Sequence, residues 1–302
     1  SRSGTPRPPT TSTTTLSTGL YSLTPTGAGP WRLVFTNLPA GSEPSRVYTG
    51  TNDTSVQFIN SVPSGNNDFA IALPSEYCQA NPMLCTATMI EGNPLANATV
   101  AAETTLQKWS YSNTGVSPVP TSLAVAGSTG SVWGLAYARS TDKLYSSAFL
   151  KRHAGLGPNG LGAIYVTSNP RSGVGVTTSL LVDVSLIPGV NIGSVLSNAA
   201  RGTPTWMDSS VYDQIGKVGL GDIDIAENDS MLWVTSLNDK KLIGIPLDST
   251  GAANAAAAQV YSIPDLGCPA GTGDYRPFAT KVYRGKVYVG ITCDASISLA
   301  QN

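Results

Sequence analysis

The sequence is poor in charge: Asp, Glu, Lys and Arg make up 12% of its 302 residues, about half the roughly 25% of an ordinary soluble domain. The formal net charge is −1. No field is available to draw in nucleic acid or an anionic membrane surface, and neither is expected as a partner. No apolar run approaches the ~20 residues that span a bilayer, so no membrane insertion is expected. Ser1 opens a polar stretch in which no signal peptide is visible. Histidine is scarcest of all, with His153 alone. A two-His metal site within one chain is thereby excluded, and a Ser-His-Asp triad has one candidate base. No G-x-S-x-G motif accompanies it. Lys151 and Arg152 beside it disfavour the imidazolium that a triad must form. No catalytic residue is assigned.

Cysteine is sparse but patterned. Cys78 and Cys85 form one local pair, Cys268 and Cys293 another. Neither spacing is the C-x2-C of a zinc site. Two disulfides and an oxidising, extracellular compartment are the expectation, with four free buried thiols as the alternative. Asn52, Asn97 and Asn228 each head an N-x-S/T sequon, a short motif that also arises by chance.

What is abundant is turn chemistry, with 31 glycines and 21 prolines. Residues 1–18, SRSGTPRPPTTSTTTLST, have no apolar periodicity and read as an extended Ser/Thr/Pro-rich linker. Residues 19–65 carry short alternating strands, GLYSL, WRLVF and SVQFI, enough for part of a small β-sandwich. From residue 66 to 302 a repeat can be picked out. VWGLAYARSTDKLYSSAF (132–149), LGDIDIAENDSMLWVTSL (220–237) and RPFATKVYRGKVYVGITC (276–293) are each strand, tight polar turn, strand. KLIGIPL and AQVYSIP extend the second of them. DFAIALP (68–74) is expected to open an earlier unit that ends at TLQKWSY (105–111). Four antiparallel strands per unit make a propeller blade, so the fold expected is all-β: a β-propeller, incomplete in this chain, after a partial β-sandwich. A sandwich with coincidentally similar hairpins is the alternative. Residues 186–218 break the rhythm as an inserted loop. Closure of the exposed edge is expected from residues beyond Asn302 or from another chain.

WRLVFTNLPAG (31–41) with TSVQFI (54–59) resembles the end of a serine-aspartate-repeat-type B-like (prealbumin-like) module. SVWGLAYARSTDKLYSSAFLKRHAGLGPNGLGAIYV (131–166), VGLGDIDIAEND (218–229) and RPFATKVYRGKVYVGITCDAS (276–296) resemble the propeller-like region that follows such modules in bacterial cell-surface proteins. That resemblance implies an exported, modular surface protein with adhesive or structural duties, and it brings no catalytic residues. The Asp- and Gly-rich opening strands of a B-like module are missing, and with them the basis for that module's calcium binding.

Four places remain where chemistry could sit. Lys151, Arg152 and His153 precede AGLGPNGLG, a loop too Gly-rich for regular structure whose glycines allow positive φ. A guanidinium there can bridge carbonyls of the returning loop or a carboxylate of the next blade, so the cluster reads as a latch. A contact point for an anionic or glycan partner, and catalysis, are its alternatives. Asp222 and Asp224 alternate with isoleucines in GDIDI and share one strand face. They are the candidate Ca²⁺ ligands, against the plainer expectation that they accept hydrogen bonds from backbone amides of a neighbouring blade. Asp208 and Asp213 are further oxygen donors. Trp206, in GTPTWMDSS, can anchor a partner or fold back as a plug; Trp133 and Trp233 read as packing. The function expected is a non-catalytic extracellular, cell-surface module acting through other copies, surface proteins or glycans. A carbohydrate- or calcium-binding propeller, and then a propeller hydrolase or lyase, are the alternatives.

Overall fold

The computed structural model describes residues 10–45, 54–73, 81–115, 118–201, 208–283 and 285–297. The chain falls into two compact units, 1–82 and 83–302, and among the described residues the regular structure of both is almost all β-strand.

In the first unit, β1 (Trp31–Val34) pairs antiparallel with β3 (Val56–Ile59), and β2 (Glu43–Ser45) with β4 (Ala70–Ala72). Alternation along β1 and β3 turns Leu33 and Gln57 inward and leaves Arg32, Val34, Val56 and Phe58 exposed. Phe35 stacks on Phe69 at 5.3 Å and meets the edge of Tyr21 at 5.6 Å, giving this small unit an aromatic centre. Ala70–Ala72, expected to open the downstream repeat, is instead the partner of β2. A three-residue strand has too little pattern of its own to fix which neighbour it pairs with.

The second unit begins with a three-stranded sheet, β5 (Met83–Ala87), β6 (Thr104–Ser110) and β7 (Thr121–Val125). Two four-stranded antiparallel meanders follow. The first is β8 (Val132–Ala138), β9 (Lys143–Ala148), β10 (Ala163–Ser168) and β11 (Thr177–Asp183). The second is β12 (Leu220–Ile225), β13 (Met231–Ser236), β14 (Lys241–Pro246) and β15 (Gln259–Ser262). A hairpin of β16 (Tyr275–Tyr283) and β17 (Lys286–Cys293) comes last. Two short helices, α1 (Ala98–Ala102) and α2 (Ala126–Thr129), lie between β5 and β8.

The sheets stack through their first strands, β12 lying against both β8 and β16. This is the blade arrangement of a β-propeller. It explains the repeated sequence. The three hairpins turn at Asp142, Asp229 and Gly285, all with φ between 48° and 69°, a region that Gly and, among side-chain-bearing residues, Asn and Asp enter most readily. Each first strand also carries a bulge near its start, at Val132/Leu135, Leu220/Ile223 and Pro277/Ala279, which bends it toward its neighbour. Gly134 and Gly221 sit at two of these bulges. A Cβ on Gly134 would stand 2.6 Å from the Ile223 nitrogen, and one on Gly221 2.8 Å from the Phe278 carbonyl. Close approach of backbones is what these glycines supply.

Two cores result. Leu106, Leu123, Val132, Leu144, Ala163 and Tyr165 fill the space between the first two sheets. Tyr145, Ile164, Leu220, Ile223, Val234 and Ile243 fill the space between the meanders. The pairs Leu144/Tyr145 and Ile164/Tyr165 therefore send adjacent side chains into different cores, as a strand buried on both faces must.

The Cys268–Cys293 disulfide is present, with Cα atoms 5.7 Å apart, and ties the loop before β16 to the end of β17. The other expected bridge is not made. Cys85 is a free, exposed thiol on β5, and Cys78 lies outside the described residues.

Candidate functional site

The loop after β9 is shaped first by its backbone. His153 adopts φ 73°, and its carbonyl accepts from Gly92 N at 2.8 Å. Gly155 N donates to Gly92 O and Ser131 N to Gly155 O, both at 2.9 Å. A Cβ on Gly155 would lie 2.5 Å from Pro94 Cδ, and one on Gly157 2.4 Å from the Thr129 carbonyl carbon. Of the four loop glycines only Gly160 needs positive φ. Gly155 and Gly157 are there because other chain passes against them, and the left-handed residue of the turn is His153 itself.

The second layer is supplied by the inserted segment between β11 and β12. Arg201 is 7% exposed and Asp208 3%. They form a buried ion pair, with Arg201 Nε also donating to Asp208 Oδ1 at 3.3 Å. Arg201 further donates to the carbonyls of Ala154 (3.0 Å) and Lys151 (2.9 Å). Asp208 Oδ2 accepts from His153 N at 3.1 Å. Asn198 works like a strand partner: its Oδ1 accepts from Leu156 N at 2.9 Å and its Nδ2 donates to Leu156 O at 2.8 Å. Burial raises the Asp208 carboxyl, but the Arg201 hydrogen bond, the His153 N–H and the charges of Arg201 and His153 outweigh it and hold the group below its ordinary value. Beside these groups is a cavity of about 10 Å³, also lined by Gly92, Asn93 and Gly155. That is room for about one water molecule.

Among the described residues it is the Arg201 guanidinium that bonds the carbonyls of this loop. Arg152 lies over the Tyr212 ring, 5.5 Å from its centroid, and the Lys151 side chain is exposed while its carbonyl takes the Arg201 bond. A sequence gives no direct sign that Arg201 faces a loop some fifty residues earlier. The only hint was a single arginine with two aspartates, Asp208 and Asp213, within a polar insertion of a charge-poor chain. Trp206 lies outside the described residues, and Asp213 is exposed.

Asp222 and Asp224 do share a face, and it is turned toward β16. Asp222 Oδ2 accepts from Thr280 N at 3.3 Å, and Asp224 Oδ2 from Val282 N at 2.7 Å. Asp224 also pairs with the largely exposed Lys281 at 2.8 Å. Burial, and to a lesser degree the Asp224 charge, raise the Asp222 carboxyl against the pull of the Thr280 and Ile223 amides and Lys281. Among the described residues no three of His, Cys, Asp and Glu come together as a metal site would need. Trp133 is 50% exposed. It packs on Phe149 at 5.7 Å and on Phe278 at 6.1 Å, bridging two sheets.

No family model matches the sequence. The chain is similar to Colossin-A of Dictyostelium discoideum, with 29% identity over 94% of this chain and 2% of Colossin-A. Against Colossin-B of the same organism the identity is 26% over 89% of this chain and 6% of the relative, and against its Colossin-D 28% over 54% and 16%. The chain therefore spans a small part of the relatives it matches. These relatives are eukaryotic, and they replace the expected bacterial surface proteins with serine-aspartate-repeat-type modules: strand and turn patterning reports local structure and does not by itself carry ancestry. A solved protein from Lactobacillus plantarum aligns with a TM-score of 0.39 at 9% identity, over 71% of this chain and 47% of that one.

Proposed function

We propose that the chain is a non-catalytic structural module of an extracellular, surface-located protein, working through contacts with other copies or other surface proteins. The observation that carries this is how the buried polar groups are used. Arg201, Asp208 and Asn198 spend their hydrogen bonds on the backbone of the 151–156 loop, and the space left among them is water-sized. A binding pocket for an ordinary substrate needs about 300 Å³ or more with unspent polar groups. The disulfide supports an oxidising compartment, and among the described residues no helix is long and apolar enough to cross a membrane. Similarity to short stretches of long proteins supports a modular part. The test is to assay the purified chain against hydrolase and lyase substrates, with His153→Ala and Asp208→Asn variants as controls. No turnover is expected; a turnover abolished by either variant overturns the proposal.

One observation favours a glycan as the contact. Trp133 presents a half-exposed indole held by two phenylalanines, and a fixed aromatic face of that kind suits stacking on a sugar ring. Titration with oligosaccharides should then shift the tryptophan emission, and Trp133→Ala should remove the shift; a flat titration removes this second reading.

A further inference from the structure

We infer that Asn97 and Asn228 are N-glycosylation sites that take an oligosaccharide from a lipid-linked diphosphate donor. The inference rests on the extracellular placement proposed above. Both residues head sequons, Asn97-Ala98-Thr99 and Asn228-Asp229-Ser230, and the triplet alone weighs little. The structure adds the placement of the reacting atom. Asn97 is exposed at the start of α1, where its Oδ1 accepts from Thr99 N at 2.9 Å and Val100 N at 3.3 Å. Asn228 is exposed in the β12–β13 turn, where its Oδ1 accepts from Ser230 N at 3.3 Å and Ser230 Oγ at 2.7 Å. The fold uses only the amide oxygen in both. Neither Nδ2 donates to any group among the described residues.

Four asparagines outside sequons supply a contrast, although Asn93 and Asn191, also outside sequons, likewise use only the amide oxygen. Asn67, Asn169, Asn198 and Asn238 all donate hydrogen bonds through Nδ2, and none of them heads a sequon. A glycan on Asn97 or Asn228 would replace one solvent-facing hydrogen and break no bond of the fold. The two sites also lie at opposite ends of the sheets. Asn97 is near the His153 loop, through the Gly92 strap. The Asn228 turn adjoins the β8–β9 turn, where Asp229 Oδ2 accepts from Ser140 N at 2.8 Å. In the transfer, Nδ2 forms a bond to the anomeric carbon as that carbon's bond to the diphosphate oxygen breaks. The lipid diphosphate leaves with the electron pair, one amide proton passes to a base of the transferring enzyme, and nothing is oxidised or reduced.

The experiment is to secrete the full chain from a eukaryotic host and release N-glycans with peptide-N-glycosidase in heavy-oxygen water. Peptide mass spectrometry should find heavy-labelled Asp at positions 97 and 228, and mobility should shift in two steps. Thr99→Ala should abolish the first modification and Ser230→Ala the second. Thr99→Ala leaves the Asn97 cap and the Thr99 N–H in place, so a folding defect does not obscure the result. Secreted protein with the Cys268–Cys293 bridge formed and both asparagines unmodified overturns the inference alone; one unmodified asparagine overturns it for that site. Chain that is not exported, or that is exported with Cys268 and Cys293 as thiols, overturns the extracellular proposal and the inference with it.

Discussion

Arg201 and Asp208 are almost fully buried, and a charge left without its partner in such a place is costly. Removing one member of a buried pair typically costs about 3–5 kcal/mol, whereas replacing both with apolar residues is often nearly neutral. Arg201→Met should therefore lower the urea midpoint far more than Lys151→Ala, because the Lys151 side chain is exposed and its carbonyl, which takes the Arg201 bond, is unchanged in that variant. The double variant Arg201→Met/Asp208→Leu should recover part of the loss. Equal effects of the Arg201 and Lys151 variants would show that the insertion does not hold the loop. Acid provides an independent check. Asp208 is held below its ordinary value of 3.8, so its contribution is complete above that pH and is lost as pH falls through the lower folded value. Urea stability should fall below about pH 4 in the parent chain, and fall less in Asp208→Asn, which has no carboxyl to titrate there. An unchanged acid slope in that variant would remove Asp208 from the account.

Between elements, the joints of the stacked sheets are small hydroxyls and two carboxylates. Ser147 Oγ on β9 donates to Gly221 O of β12 at 2.9 Å, and Thr235 Oγ1 on β13 donates to Phe278 O of β16, also at 2.9 Å. Ser147 and Thr235 occupy the same position of the aligned segments, so the repeat encodes the joint as well as the hairpin. Each hydroxyl should be worth about 1 kcal/mol, and Ser147→Ala and Thr235→Val should each lower the midpoint by that order. The aspartates of β12 separate under the same logic. Asp222 is raised by burial, so the folded state prefers its neutral form: that stability is full at low pH and lost as pH rises through the raised value. Asp222→Asn keeps an acceptor for Thr280 N and should be neutral or stabilising at pH 7. Asp224→Leu removes the acceptor of Val282 N and should destabilise; calorimetry of the two variants checks the sign. The alternation of GDIDI was legible in the sequence, as were the hairpins, their turn residues and the insertion. The latch was not, because hydrophobic period and turn chemistry are local properties, whereas the pairing of Arg201 with residues 151–154 is decided by where a long irregular segment comes to rest.

For the molecule as a whole, the one bridge among the described residues locates where covalent restraint matters. Cys268 and Cys293 are 25 residues apart, and both lie in the 83–302 unit. The segment they close includes β16 and β17, and Arg276 within it pairs at 2.7 Å with Asp294, the residue just beyond the bridge. Closing a loop of that length removes unfolded-state entropy worth roughly 3 kcal/mol. The bridge lies outside the 1–82 unit, whose pairings among the described residues, β1 with β3 and β2 with β4, are made between its own strands. Reduction should therefore lower the melting transition of the larger unit and leave untouched any transition carried by Trp31 and the Tyr21–Phe35–Phe69 cluster. Cys85 serves as the internal control. It is free and exposed, and Cys85→Ser should leave the effect of reductant on the larger unit unchanged. If Cys268→Ala/Cys293→Ala melts like the parent chain, the bridge restrains a segment already fixed by pairing and packing. If reductant lowers both transitions together, the two units do not unfold independently.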